Sequence, residues 1–284
     1  MRVRMTEPIS TPLGDYSPDL GDSTEVLLEV DEAGVAQVTL NRPGKRNAFD
    51  AAVIAGLHRT FETLHGSDHV RAVFLRGAGG TFSAGADLDW MREQANQPEA
   101  DNRADAMNLA RMLKALHDVP ALTVALVEGA AMGGGAGLVA ACDMAIARPD
   151  ASFAFSEVRL GLTPATISPY VVAAIGPRRA RALFATGARF DAEFARQIGL
   201  VDEIAEDLDA ERRRLAAVMT ACAPGAVADA KRLVDYVQGR SIDRGLMEET
   251  ARRIAARRSS EEGREGLAAF LERRKASWAR EQDG

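Results

Sequence analysis

An α/β fold with a mostly parallel sheet is what this sequence predicts, on three observations. β-branched runs alternate with helical stretches from about residue 25 to about residue 205. Small-residue loops close two of the buried strands, and beyond about residue 205 apolar positions recur only at helical spacing. Strand–helix alternation implies crossover connections and parallel pairing. The expected organisation is a disordered tail over residues 1–23, an α/β core over 24–205 and a helical region over 206–284.

Each element follows from its residues. The tail, MRVRMTEPISTPLGDYSPDLGDS, is polar, carries Pro and Gly and has no apolar stretch, so it reads as disordered and not as a secretory signal. EVLLEV and VAQVTL, joined by DEAG, form a hairpin with a glycine turn. NRPGKRNAFD is a polar loop whose Asp50 is placed to N-cap the next helix. That helix, AAVIAGLHRTFETLH, sets Val53, Leu57, Phe61 and Leu64 on one face. VRAVFLRG is a buried strand ending in glycine, and ADAMNLARMLKALHDV is an amphipathic helix stopped by Pro120. ALTVALVEG is a second buried strand, the glycine cluster after it opens a helix, and CDMAIARPD is again strand-like. From EDLDAERRRLAAVM onward the chain reads as helix, with Arg and Lys between the apolar positions.

Composition narrows the functional classes. The chain has 284 residues and a formal net charge of -6, which disfavours a general nucleic-acid binder. Cys142 and Cys222 stand alone, and His58, His65, His69 and His117 fit no ligand spacing, so no metal is expected. No window has the length of uninterrupted apolar residues a membrane helix needs. A soluble cytoplasmic protein without a metal or redox cofactor is the expectation.

Two loops carry the chemical signal. RGAGGTFSAGADLDW spans Arg76 to Trp90, and VEGAAMGGGAGLVAACDMAIA spans Val127 to Ala147 with five glycines between Gly129 and Gly137. In an open α/β sheet, ligands bind beyond the carboxyl ends of the strands. A glycine-rich helix start offers free amides and a favourable dipole to negative charge. Two such loops side by side can give two amides to one developing oxyanion. Tight helix–sheet packing is expected to account for one or two of the five glycines. The phosphate-loop pattern GxxxxGK[ST] is absent, and Leu138 breaks the register of a dinucleotide fingerprint. TFSAG nearly matches a nucleophile elbow at Ser83, but Thr81 replaces its first glycine and no histidine follows His117.

FSAGADL, GAAMGGGAGLVAACDMAIA, FAFSEVRLGLTP and FLERRKASW together resemble, in order and spacing, the enoyl-CoA hydratase/isomerase (crotonase) family over roughly residues 25 to 280. The resemblance implies a crotonase-like fold of repeated ββα units, with C-terminal helices that assemble a homotrimer or a hexamer. It implies an acyl-CoA thioester as substrate, with coenzyme A entering as part of that substrate and no separate cofactor. By position, the Ala86 and Gly134 amides match the oxyanion donors. Ala84, Asp87 and Leu88 match the adenine and pantetheine path, with Lys45 and Arg46 near the CoA phosphates. Lys275 matches a position that reaches a neighbour's CoA. Leu88, Trp90, Met91 and Met132 match an acyl pocket or its lid, with core packing as the rival reading.

Glu157, in AFSEVRLG, matches the acid that handles the proton at C2. Burial beside apolar groups is expected to raise its proton affinity and suit it to transfer near neutral pH. The partner glutamate of ordinary hydratases, which activates water for C3, is replaced by Gly137. Three readings follow. Hydration uses water held by Glu157 with backbone groups, or by a substitute such as Glu128 or Ser168; Glu157 alone isomerises an enoyl-CoA between C2 and C4; or the chain is a non-catalytic acyl-CoA-binding scaffold. SEVRLGLTPATISPYVVAAIG resembles the branch acting on branched or carboxylated enoyl-CoAs, such as methylglutaconyl-CoA hydratase in leucine degradation. There the substrate's carboxylate is expected to help hold water or to occupy the space vacated at Gly137.

Overall fold

The computed structural model describes residues 24–279; the tail expected over 1–23 and the last residues of the C-terminal region lie outside the described residues. Strands β1 (Val26–Val30) and β2 (Val35–Leu40) form the antiparallel hairpin, with Val26 opposite Leu40. Helix α1 (Ala51–His65) starts where Asp50 accepts the Val53 amide at 2.9 Å, and it buries Val53, Leu57, Phe61 and Leu64 as its spacing requires. β3 (Ala72–Gly77), α2 (Leu88–Gln94), α3 (Glu99–His117) and β4 (Leu122–Val127) follow. Then come β5 (Ala130–Met132), α4 (Gly134–Ala141), β6 (Met144–Ala147), β7 (Ser152–Ala154) and a 3-10 turn over Glu157–Leu160. α5 (Ser168–Thr186), β8 (Arg189–Asp191), α6 (Ala192–Ile198) and β9 (Glu203–Ile204) close the α/β part. Beyond it lie α7 (Leu208–Thr220), α8 (Pro224–Val237), α9 (Arg244–Ser259) and α10 (Glu261–Leu271).

The main sheet has the order β1-β2-β3-β4-β6-β9, and every pairing after the hairpin is parallel. Leu40 pairs with Gly77, and Val127 with Ala147, so the carboxyl ends of the central strands line up. A second small sheet, β5-β7-β8, collects three-residue strands. Its strands arise from ββα units: β4–β5–α4 and β6–β7–α5 each send the first strand to the large sheet and the second to the small one.

Strand alternation builds two apolar layers. Val73, Leu75, Ala125 and Val127 face the main core with α1 and α4 residues such as Phe61 and Leu138. Phe74, Val124, Leu126 and Ile146 face the other way, onto Leu208, Leu215 and Met219 of α7. The later helices are attached more lightly. Among the described residues α8 buries only Ala228 and α9 buries none. Lys231 pins α8 to the core by donating to Val119 O (2.6 Å), Ala121 O (2.9 Å) and Asp143 Oδ2 (2.6 Å). α8, α9 and α10 enclose an apolar groove that includes Leu233, Tyr236, Ile254, Leu267 and Phe270. No helix among the described residues is long and apolar enough to cross a membrane.

Candidate active site

The two glycine-bearing loops lie side by side at the carboxyl ends of β3 and β4, joined as a short parallel ladder. Phe82 N donates to Glu128 O (2.8 Å), Ser83 N to Ala130 O (2.9 Å) and Met132 N to Ser83 O (2.9 Å). Such an approach leaves no room for side chains. A Cβ on Gly129 would stand 2.4 Å from Gly80 O, and one on Gly85 would stand 2.8 Å from Met132 O. The same holds along the first turn of α4: Cβ atoms would meet the Phe49 ring at 3.0 Å from Gly134 and Ser83 Cβ at 2.8 Å from Gly135. At Gly137 the obstacle is Ile167 Cγ2, at 2.2 Å. Close packing therefore bears on every glycine of the cluster, not on one or two as expected, because the loop, Phe49, Glu157 and Ile167 all press on the same turn.

The ladder leaves two amides over. Phe49 donates to Gly85 O (2.7 Å) and accepts from Asp87 N (2.7 Å), so the Ala86 amide between them points away from Phe49. Gly134 is the first residue of α4, and no side chain caps its N-cap, Gly133, which sits at φ 49°. Among the described residues neither the Ala86 nor the Gly134 amide donates a hydrogen bond. These are the two amides that the family resemblance matches to oxyanion donors.

Glu157 opens the 3-10 turn that follows β7, and its Oε1 lies 3.2 Å from where a Gly133 Cβ would stand. Its carboxylate thus lies against the residue preceding the Gly134 amide. Oε2 is buried without a hydrogen-bond partner. Burial raises the Glu157 pKa above its ordinary value, and its own backbone amide opposes this only in part. An acid with a raised pKa beside an uncapped helix start is equipped to carry a proton.

The remaining assignments divide. Lys45, Arg46, Ala84, Asp87 and Leu88 come together: Ala84 N donates to Arg46 O (2.9 Å), and Lys45 Nζ lies 3.7 Å from Asp87 Oδ2 and 2.8 Å from Asp89 Oδ2. Asp87 itself is buried, caps α2 through the Asp89 amide (2.9 Å) and meets Arg42 Nη2 at 3.3 Å. Leu88 is 65% exposed, while Trp90 packs partly on the core and keeps its Nε1 buried without a partner. Met132 is half-buried on β5, against Gly85. Met91, on α2, is also half-buried. Lys275 is not brought to this group within one chain. Trp278, three residues on, has its carbonyl bound by Arg71 Nη2 (3.2 Å), just before the first residue of β3. The site lies past the other end of that strand, and three residues reach at most about 11 Å.

Of the substitutes named for the missing acid, Glu128 is paired with Arg76 (3.3 Å) and Ser168 Oγ donates to Ala165 O (2.8 Å). The space expected to hold water or a substrate carboxylate beside Gly137 is occupied by Ile167, only 2% exposed. The nucleophile-elbow reading also ends here: Ser83 is fully buried and its Oγ donates to Asn47 O (2.8 Å). Sequence reasoning missed Asn47, which is buried at φ 55°, donates to Ala78 O (2.9 Å) and Thr81 O (2.6 Å) and so holds the first loop. Its signal was faint: asparagine tolerates the left-handed region better than most residues.

Comparison with known proteins places this geometry. The sequence pattern of the family described as Enoyl-CoA hydratase/isomerase matches residues 30–281. A Thermus thermophilus protein bearing the enoyl-CoA hydratase name is 33% identical over 255 residues, 87% of this chain and 98% of that protein. The ethylmalonyl-CoA decarboxylase of Danio rerio is 35% identical over 200 residues, 69% of this chain and 65% of its own length, just under two thirds of that relative. The crystal structure of an enoyl-CoA hydratase from Shewanella pealeana superposes with a TM-score of 0.87 at 41% identity, covering 89% of this chain and 96% of that one.

Proposed function

The chain belongs to the enoyl-CoA hydratase/isomerase (crotonase) family, and on that premise we propose that it adds water across the 2,3 double bond of a 2-enoyl-CoA. The observation that carries this is the Glu157 carboxylate, buried on one oxygen and set against the residue before the Gly134 amide. The Ala86 and Gly134 amides receive the thioester oxygen as charge develops on it. Water oxygen bonds to C3, the double-bond electrons move into the thioester as an enolate, and a water proton passes to Glu157. Glu157 then returns that proton to C2, which collapses the enolate and leaves a 3-hydroxyacyl-CoA. One carboxylate with a raised pKa serves both transfers.

The CoA moiety runs along Lys45, Arg46, Ala84, Asp87 and Leu88, and Leu88, Trp90, Met91 and Met132 meet the acyl part. Branched or carboxylated enoyl-CoAs of the methylglutaconyl type are the favoured class. The chain works in the cytoplasm as a homotrimer or hexamer built through its C-terminal helices. The exposed Leu267, Phe270 and Leu271 of α10 support that assembly, as does the anchoring of Trp278, three residues past Lys275, to Arg71 just before β3. In the assembly Lys275 serves a neighbour's CoA.

Isomerisation is the second reading, favoured by Ile167 standing where a second acid would project. A panel of straight, branched and carboxylated 2- and 3-enoyl-CoAs in D2O separates them. Hydration yields 3-hydroxyacyl-CoA with deuterium at C2. A 3-enoyl-CoA shifted to 2-enoyl, with no hydration anywhere in the panel, overturns the hydratase reading. A scaffold would keep its function in Glu157→Gln and turn over none of the panel.

A further inference from the structure

Ile167 stands at the head of α5, almost fully buried, with its side chain against the first turn of α4. A Cβ on Gly137 would lie 2.2 Å from Ile167 Cγ2 and 2.8 Å from Ile167 Cβ. The slot at 137 is therefore filled from a different element, and glycine is there because isoleucine is opposite. Gly137 N donates to Gly133 O at 3.0 Å, so the two glycines sit one helical turn apart. Glu157 Oε1 lies over Gly133, and Ile167 over Gly137. Carboxylate and isoleucine thus both press on the first turn of α4.

We propose that Ile167 is a positioning residue for Glu157, and that with Gly137 opposite it forms a dry wall beside a single carboxylate. This rests on the reading of Glu157 as the proton carrier but not on which enoyl-CoA reaction it serves. Water is kept off the α4 side of the carboxylate, so the reacting water enters from the substrate side. Among the described residues no charged side chain is an influence on the Glu157 carboxyl. α4 and β7 carry no ionisable side chain, Arg159 on the 3-10 turn lies over Gly187, and Tyr170 on α5 packs its ring against His117. Burial is the leading influence on Glu157, and Ile167 is an apolar contributor to it placed one turn away.

Two measurements test this. In the first, thermal unfolding is compared for wild type, Gly137→Glu, Ile167→Ala and the double variant. Gly137→Glu alone should lower Tm sharply, and Ile167→Ala in the same chain should recover most of the loss, because the wall has been removed. A Gly137→Glu variant as stable as wild type overturns the proposal, as does a double variant no better than the sum of the singles. In the second, 13C NMR follows the Glu157 carboxyl, assigned by its disappearance in Glu157→Gln. Ile167→Val should leave its titration in place. Ile167→Ala should weaken its proton affinity about tenfold, and Ile167→Thr, which keeps most of the volume, serves if the alanine variant does not fold. An unmoved titration in both variants overturns the proposal. Neither measurement needs turnover, so a shifted titration with no hydration in the enoyl-CoA panel would sink the hydratase reading and leave this one standing.

Discussion

Arg42 Nη2 stands 3.3 Å from Asp87 Oδ2, and this contact ties the loop after β2 to the residue next to the Ala86 amide. The same guanidinium meets Glu25 (3.0 Å) and Asp50 (2.9 Å) and donates to Ala48 O (2.9 Å). One arginine therefore links the hairpin, the α1 cap and the start of α2.

Arg42→Met should leave Asp87 buried with Lys45, at 3.7 Å, as its remaining cation. Burial pushes the Asp87 carboxyl up, but the Asp89 amide, Lys45 and Arg42 together outweigh it and hold it below its ordinary value. A carboxyl with a depressed pKa stabilises the fold above the ordinary carboxylate range and loses that contribution as pH falls through its folded value. Denaturant unfolding at pH 7 should therefore show a loss of about 2–4 kcal/mol. Below the ordinary carboxylate range the gap to wild type should narrow.

Glu157→Gln should lower kcat about 10²–10⁴-fold while binding of a CoA thioester, read by calorimetry, stays near wild type. Stability moves the other way. The raised pKa means that the folded protein favours the protonated acid, so wild-type stability declines as pH rises through the folded value. The glutamine variant should unfold at a higher temperature than wild type at pH 8, and the difference should fade towards pH 4.

Replacing the Ala86 or Gly134 amide by an ester, with lactic or glycolic acid at that position, removes one donor and leaves every side chain in place. Each change should cost about 10²–10³-fold in kcat with little change in KM. Equal losses at a control amide such as Met132, whose N–H is committed to Ser83 O, would refute the assignment.

Lys231→Met removes the three bonds that hold α8 to Val119, Ala121 and Asp143. Asp143 keeps Thr123 N (2.8 Å) and Thr123 Oγ1 (2.9 Å), so the expected loss is about 2 kcal/mol and not the full cost of an orphaned charge. Hydrogen exchange should rise in α8 before it rises in β3 or β4.

The hairpin, α1 with its Asp50 cap and the long strands were legible because each shows its period over several residues. Strands β5, β7 and β8 were not, since three residues such as Ala130–Met132 are too few to show alternation. Helix α2 was hidden in ADLDWMREQ, where the capping aspartate reads equally as loop. Glu157 was visible as an acid among apolar residues, and the structure buries one of its oxygens. Ile167 was invisible as a site residue. An isoleucine in ATISPY carries no chemical signal, and its meaning exists only opposite Gly137, thirty positions earlier. The glycine cluster misled in one respect: ligand access looked like the purpose of most of its glycines, whereas its neighbours crowd all five.

The ladder between Ser83 and Ala131 fixes the distance between two loops whose working groups belong to the main chain. Every residue but proline supplies a main-chain amide, so most substitutions at these loops change the surroundings and leave the N–H groups in place. The side chain at 157 can change by itself, whereas 137 and 167 have to change together because a Cβ at 137 meets Ile167, and none of these changes touches the main-chain ladder. On such a scaffold a change of chemistry at these positions leaves the spacing of the two loops as it was.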